Sequence, residues 1–227
     1  MRSSWRGASE VADALLPEQV MPALLRPVVE PLPYWFVIGG QAVRYLCPYR
    51  PSQDVDFGVG QADDIDALLV QLSASGSVDL SERSADTVHL AWNGIKVSIF
   101  HLERLALFTT ERRLTVTGML ATKLHAILDR GTRRDFFDLY VILESQRLGL
   151  AEALSALREV YAQPVKDSLL LRALTYFDEA NAEAPLPGEG PEDWKTVRQF
   201  FLERAGQLLV PPLRRLAIQA RRVDVSG

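Results

Sequence analysis

Tyr34-Trp35-Phe36-Val37-Ile38-Gly39-Gly40 and, thirteen residues later, Asp54-Val55-Asp56-Phe57-Gly58-Val59 are the two stretches on which the fold turns. The first is an aromatic and β-branched run stopped by two glycines, the pattern of a short buried strand ending in a tight turn. Gln41-Ala42-Val43-Arg44-Tyr45-Leu46 reads as a helix that starts directly after it. The second stretch alternates polar and apolar side chains at strand period, which puts Asp54 and Asp56 on one face and Val55 and Phe57 on the other. Pro48 and Pro51 bound the loop between the two.

Working outward, Asp63 to Leu72 forms an amphipathic pattern with Ile65, Leu68, Leu69 and Leu72 inward and acids in its first turn, where the helix dipole favours them. Thr87-Val88-His89-Leu90-Ala91-Trp92 and Ile95-Lys96-Val97-Ser98-Ile99-Phe100 flank Asn93-Gly94, the signal of a two-residue hairpin turn. Beyond the hairpin, strand signals nearly vanish. Helices are expected at 117–130, 134–145, 151–161, 169–180, 192–209 and 213–221. The loop at 184–191, with three prolines and two glycines, interrupts them. Upstream, 9–25 carries a helical pattern broken by Pro17 and Pro22. The order of strands first and helices second predicts an α+β fold, divided into a sheet-bearing unit over 1–110 and a helical lobe over 111–227.

The 227 residues are 48% hydrophobic and 24% charged, which excludes a chain disordered throughout and provides for a sizeable core. A single cysteine, Cys47, excludes an intramolecular disulfide and a structural zinc site built from four cysteines, or from two cysteines and two histidines. That favours a reducing compartment. The opening Met1-Arg2-Ser3-Ser4-Trp5-Arg6 leads into no secretory apolar segment, and no apolar run approaches the ~20 residues of a bilayer span, so a cytoplasmic protein without a membrane is expected. The net charge of −4 argues against tight nonspecific binding of nucleic acid, although Arg112-Arg113, Arg130 and Arg133-Arg134 form local basic clusters.

Gly39 and Gly40, between a strand and a helix, would let the backbone approach a phosphate at the helix N-terminus; packing of strand on helix is the alternative explanation. Asp54 and Asp56 repel one another on a shared face unless a hard divalent cation such as Mg²⁺ lies between them, where it could also bridge nucleotide phosphates. Solvated acids on an edge strand are the alternative there. On a helix, Lys123 and Arg130 share a face because seven residues return almost to the starting angle, so the two could clamp a triphosphate jointly. Asp135 and Asp138, three apart, would project together. They could order the cations through ion pairs or accept a proton from an acceptor hydroxyl. His89, His101 and His125 read as structural or surface histidines, and Trp35, Trp92 and Trp194 as core.

In combination, Ile38-Gly39-Gly40 and Asp54-Val55-Asp56-Phe57 resemble the signature of the polymerase-β-like nucleotidyltransferase superfamily. Arg50-Pro51-Ser52-Gln53-Asp54-Val55-Asp56 is similar to the Arg-x-Ser/Thr-x-Asp-x-Asp stretch of its AbiEii/AbiGii toxin branch. Lys123-Leu124-His125-Ala126 with Arg130, and Arg134-Asp135-Phe136-Phe137-Asp138-Leu139, resemble that branch's Lys-Leu-x-Ala-x-x-x-Arg and Arg-Asp-x-x-Asp-Leu motifs. The resemblance covers Tyr34 to Leu143 and implies a mixed sheet with flanking helices, the nucleotide lying between sheet and helical lobe. It implies Mg²⁺ on Asp54 and Asp56, and an NTP held by Gly39, Gly40, Arg50, Ser52, Lys123, Arg130 and Arg134. Asp54, Asp56, Lys123, Asp135 and Asp138 would carry the chemistry. The reaction implied is transfer of an NMP from an NTP to an acceptor hydroxyl on RNA such as tRNA, or on protein. The setting implied is a toxin-antitoxin or phage-defence system with a cognate antitoxin.

One departure stands out: where the superfamily often places a third carboxylate, the strand after Asn93-Gly94 offers Ser98, which brings no negative charge to a second cation. Two further expectations follow. The chain could be a weakened nucleotide-binding or protein-interaction module of the same fold, or a helical adaptor with an incidental acidic strand.

Overall fold

The computed structural model describes residues 17–46, 54–162 and 164–209. In chain order, α1 (Pro17–Val20), α2 (Arg26–Val29), β1 (Trp35–Val37), α3 (Gly39–Leu46), β2 (Val55–Val59) and α4 (Asp63–Ser75) come first. They are followed by β3 (Val78–Arg83), β4 (Thr87–Trp92), β5 (Ile95–His101), α5 (Glu103–Ala106), β6 (Thr109–Thr110) and β7 (Arg113–Leu114). Six helices follow among the described residues: α6 (Val116–Asp129), α7 (Arg133–Gln146), α8 (Leu150–Tyr161), α9 (Asp167–Thr175), α10 (Asp178–Ala182) and α11 (Asp193–Leu209).

The strands form one mixed sheet in the order β3-β4-β5-β2-β1-β7-β6. β2 lies antiparallel to β1 and parallel to β5, so the aspartate strand sits inside the sheet rather than at an edge. The alternation read from the sequence decides which side of the sheet is dry. Val55, Phe57 and Val59 of β2, Val88, Leu90 and Trp92 of β4, and Val97 and Ile99 of β5 are all buried, and Ile65, Leu68 and Leu72 of α4 are buried with them. Trp92 Nε1 donates to the Leu72 carbonyl at 2.9 Å, pinning α4 to the sheet. Trp35 meets Phe57 edge-on at 5.4 Å and donates to the Val29 carbonyl, which ties the short α2 into the same layer. The opposite side carries Asp56 and Ser98, which are only partly buried.

Asn93 and Gly94 both take positive φ, 48° and 81°, as a primed two-residue turn requires. The expected helices in the second half are found with ends shifted by a residue or two, with two exceptions. The helix expected at 169–180 is two helices, α9 and α10, because Tyr176 leaves helical geometry and Phe177 turns into a cluster with Phe136 and Trp194. The helix expected at 213–221 lies outside the described residues.

Three strands were not expected. β3 pairs with β4 through its backbone while nearly all its side chains face water, so its sequence shows no apolar stripe. β6 and β7, two residues each, are too short to display a period; β7 lies parallel to β1, whose Val37 N–H donates to the Arg112 carbonyl. The β6–β7 hairpin spans position 110, so the sheet runs on to Leu114.

Candidate active site

The end of β1, the start of α3 and the start of β2 are fastened to one another by backbone contacts. Ile38 N–H donates to the Asp56 carbonyl at 2.9 Å. The buried Gln41 side chain donates to the Asp54 carbonyl at 3.2 Å and accepts from Arg44. Gly39 opens α3 at φ 65°, a left-handed geometry that suits glycine, and a Cβ added there would overlap Oδ2 of Asp56. The first of the two glycines therefore has a specific reason: it clears the space in front of an aspartate. Gln41 was not singled out from the sequence, where a glutamine in a helix pattern carries no mark of what it holds.

On the other side of the site stand α6 and α7, an antiparallel helix pair capped by Thr115 and Thr132, whose hydroxyls accept from Gly118 N–H and Asp135 N–H. Each helix contributes to a buried ion pair. Lys123 Nζ lies 2.8 Å from Oδ2 of Asp138, with the two side chains 7% and 0% exposed. Arg130 grips Asp135 with two parallel hydrogen bonds, Nε to Oδ2 at 2.8 Å and Nη2 to Oδ1 at 2.9 Å. Thr132 also donates to Asp135. Asp135 is fully buried while half of the Arg130 side chain remains in solvent. Arg134 points outward and is exposed.

Sheet and helices act on each other through charge. Burial raises the Asp56 carboxyl above its ordinary range; Lys123, a hydrogen bond from Ser98 and Arg134 pull it back down, and Asp54 pushes it up. Asp56 in turn helps to hold the proton on Arg130, whose largest stabilising partner is Asp135. Asp135 goes the opposite way from Asp56. Burial again works to raise it, but the hydrogen bonds from Arg130 and Thr132 and the charges of Arg130 and Lys123 prevail, and it lies below the usual carboxylate value.

The structure thus brings together Gly39, Asp54, Asp56, Lys123, Arg130, Arg134, Asp135 and Asp138, with Gly40 in the first turn of α3. Arg50 and Ser52 lie outside the described residues. Ser98 sits opposite Asp56 in register, and His89 Nδ1 lies 2.9 Å from the Ser98 hydroxyl. His101 pairs with Asp86, and His125 stacks on Tyr161 at 4.6 Å. Trp35, Trp92 and Trp194 are buried in the core. Among the described residues no group of three or more His, Cys, Asp or Glu is placed to hold a metal by itself. Asp54 and Asp56, with Lys123, Arg130 and Arg134 within electrostatic reach of Asp56, suit a different arrangement, in which Mg²⁺ takes one or two carboxylates and completes its shell with water and substrate phosphate oxygens.

A second cluster, not expected from the sequence, lies at the start of α7. Arg133, buried over the Trp194 ring, forks onto Glu189, and Glu189 also accepts from Leu186 N–H. It fastens the proline-rich loop to the helix pair. Partners 56 residues apart leave no local signal.

The family model described as "Nucleotidyl transferase AbiEii toxin, Type IV TA system" matches residues 106–215. That span holds Lys123, Arg130, Arg134, Asp135 and Asp138 and continues through helices in which the sequence shows no motif; Gly39, Asp54 and Asp56 lie upstream of it. The uncharacterized protein aq_aa25 of Aquifex aeolicus (strain VF5) is 25% identical over 184 residues, 77% of this chain and 88% of that protein. A crystal structure from H. pylori, described as a "putative nucleotidyltransferase", matches with a TM-score of 0.52 at 20% identity, covering 86% of this chain and 95% of the other. No helix among the described residues is long and apolar enough to cross a membrane. The chain has the α+β nucleotidyltransferase fold, a mixed sheet with flanking helices, and its residues 106–215 are similar to the AbiEii nucleotidyl transferase toxin family.

Proposed function

We propose that the protein transfers a nucleoside monophosphate from an NTP to an acceptor hydroxyl, releasing pyrophosphate. The observation that carries this reading is the meeting of sheet acids and helix cations: Asp56 feels both Lys123 and Arg134, and Arg130 feels Asp56. Asp54 and Asp56 would hold Mg²⁺, which when bound supplies charge neutralisation at the phosphates and a more acidic acceptor hydroxyl. Gly39 keeps the approach to Asp56 open. Arg130 and Arg134, with their head groups reaching solvent, meet the polyphosphate. Lys123 is held by Asp138 and so presents a fixed positive charge toward Asp56, while Asp135 aims the Arg130 fork. Asp135 and Asp138, being buried and engaged with these cations, serve as positioning residues in this reading rather than as proton acceptors. Catalysis then rests on alignment and preorganised charge, the usual basis of phosphate-centred transfer.

The biological extension is a toxin that modifies an RNA such as tRNA, acts in the cytoplasm and is restrained by a cognate antitoxin. The family description, a type IV toxin-antitoxin system, supports it. Incubation of the wild type and Asp56→Ala with each labelled NTP, Mg²⁺ and either total RNA or total protein tests both levels. Label transferred by the wild type alone is expected, and the labelled fraction names the acceptor class; equal labelling by Asp56→Ala would overturn the reading. The neutral Ser98 facing Asp56 favours a second reading, a nucleotide-binding or protein-interaction module with weakened catalysis. It predicts Mg²⁺-dependent NTP binding without release of pyrophosphate, unchanged by Ser98→Asp.

A further inference from the structure

His89, Ser98 and Asp56 form a row across three strands. His89 faces Ser98 in the antiparallel β4–β5 register, and Ser98 faces Asp56 in the parallel β5–β2 register, so all three side chains leave the same face of the sheet. His89 Nδ1 is 2.9 Å from the Ser98 hydroxyl, and that side chain faces Asp56 across the β5–β2 pair, where it acts to lower the Asp56 carboxyl. A serine hydroxyl has a single proton, and an ionised carboxylate can only accept. Donation from Ser98 to the facing Asp56 carboxylate would leave the serine oxygen to receive the Nδ1–H of His89. The opposite imidazole tautomer would take the serine proton for itself and leave Asp56 without that bond. Two contacts hold His89 in place: the edge-to-face packing with Phe100 at 5.5 Å, and the bond from the Ser81 hydroxyl to the His89 carbonyl at 2.9 Å.

We propose that Ser98 and His89 are positioning residues for Asp56: a directed chain, His89 Nδ1–H to Ser98 Oγ–H to the carboxylate, fixes one oxygen of Asp56 and arrests rotation of the group. Ser98, the member that meets the acid, carries no charge, so it orders Asp56 without adding a charge that would alter its pull on a cation. Supporting hydrogen bonds of this kind around a ligating carboxylate commonly contribute about 10- to 100-fold in metal affinity or activity. The inference rests on the reading of Asp56 as a residue of the transfer site.

The full-length protein, ¹⁵N-labelled at histidine and free of metal and nucleotide, tests the chain directly. At pH 8 long-range ¹H–¹⁵N correlation should show His89 as the Nδ1–H tautomer, turning to a mixture in Ser98→Ala. A wild-type Nε2–H tautomer would overturn the proposal whether or not an acceptor is known. In the transfer assay, Ser98→Ala and His89→Ala should each lower kcat about 10-fold with KM for the NTP changed less than about twofold. The double variant should be no slower than Ser98→Ala, because His89 acts through the serine. Ser98→Thr keeps the hydroxyl and His89→Asn keeps an N–H donor, so both should restore the rate to within about threefold; additive losses without rescue would sink the chain. Asp56→Asn separates the two levels. If it is inactive while Ser98→Ala and His89→Ala match the wild type, the chain alone fails; if it transfers at the wild-type rate, the reading of the site fails with it.

Discussion

Lys123 lies within electrostatic reach of three carboxylates, and they fall into two kinds. Asp138 and Asp135 are on α7, fully buried and closed off by Lys123 and Arg130 at hydrogen-bond distance. Asp56 is on β2 with part of its surface in solvent, and burial leaves its carboxyl raised although Lys123, Ser98 and Arg134 act to lower it. A buried acid gripped by a cation at hydrogen-bond distance holds helices in place; an acid that keeps access to solvent has room for a ligand. The contrast separates scaffold from site more sharply than residue type does, since all three are aspartates.

Lys123→Met breaks the scaffold half most severely. It leaves Asp138 buried with its cation gone, and loss of one partner from such a pair costs about 3–5 kcal/mol. Urea unfolding should register it as a lower midpoint with an unchanged slope. Replacing both members by Lys123→Met/Asp138→Leu should recover much of the loss, since an apolar pair has no unpaired charge to bury. If the double variant is as unstable as the sum of the singles, the two residues do not act as a pair.

Gly39→Ala probes the other half. A Cβ at φ 65° costs roughly 1–2 kcal/mol by itself, and here it would also overlap the Asp56 carboxylate. Transfer activity should fall far more than stability, because Asp56 can move aside while α6 and α7 stay packed. An alanine variant with normal turnover would show that the clearance in front of Asp56 has no bearing on the chemistry.

The sequence announced these two halves unequally. Asp54-x-Asp56 alternates on a strand, and Lys123, Arg130, Asp135 and Asp138 recur at helical steps, so both groups were legible as local patterns. Their meeting in space is no local pattern: Lys123 and Arg134 act on Asp56 only because the fold carries the helices to the sheet. What stayed hidden depends on partners remote in sequence: Gln41 under the Asp54 carbonyl, Arg133 on Glu189, and His89 behind Ser98 across a strand boundary. β3 was hidden for a different reason, since an edge strand stabilised by backbone pairing needs no apolar face.

The smallest effect, and the one that best tests the sign of the contrast, is expected from Asp135→Asn. The folded-state value of Asp135 is lowered, so its ionised form stabilises the protein fully above the unfolded value near ~3.9, and that contribution is lost as pH falls through the lower folded value. The asparagine keeps a hydrogen-bonding oxygen but loses the charge, at a cost of ~1–2 kcal/mol near neutral pH, discounted because half of Arg130 faces water. Wild type and variant should therefore converge in stability below pH ~4, with the gap opening as pH rises. Asp56→Asn should do the reverse: its raised folded value means that ionisation disfavours the folded state, so removing the charge should leave stability near neutral pH equal or higher. Parallel losses in both variants would show that the two aspartates belong to one kind after all.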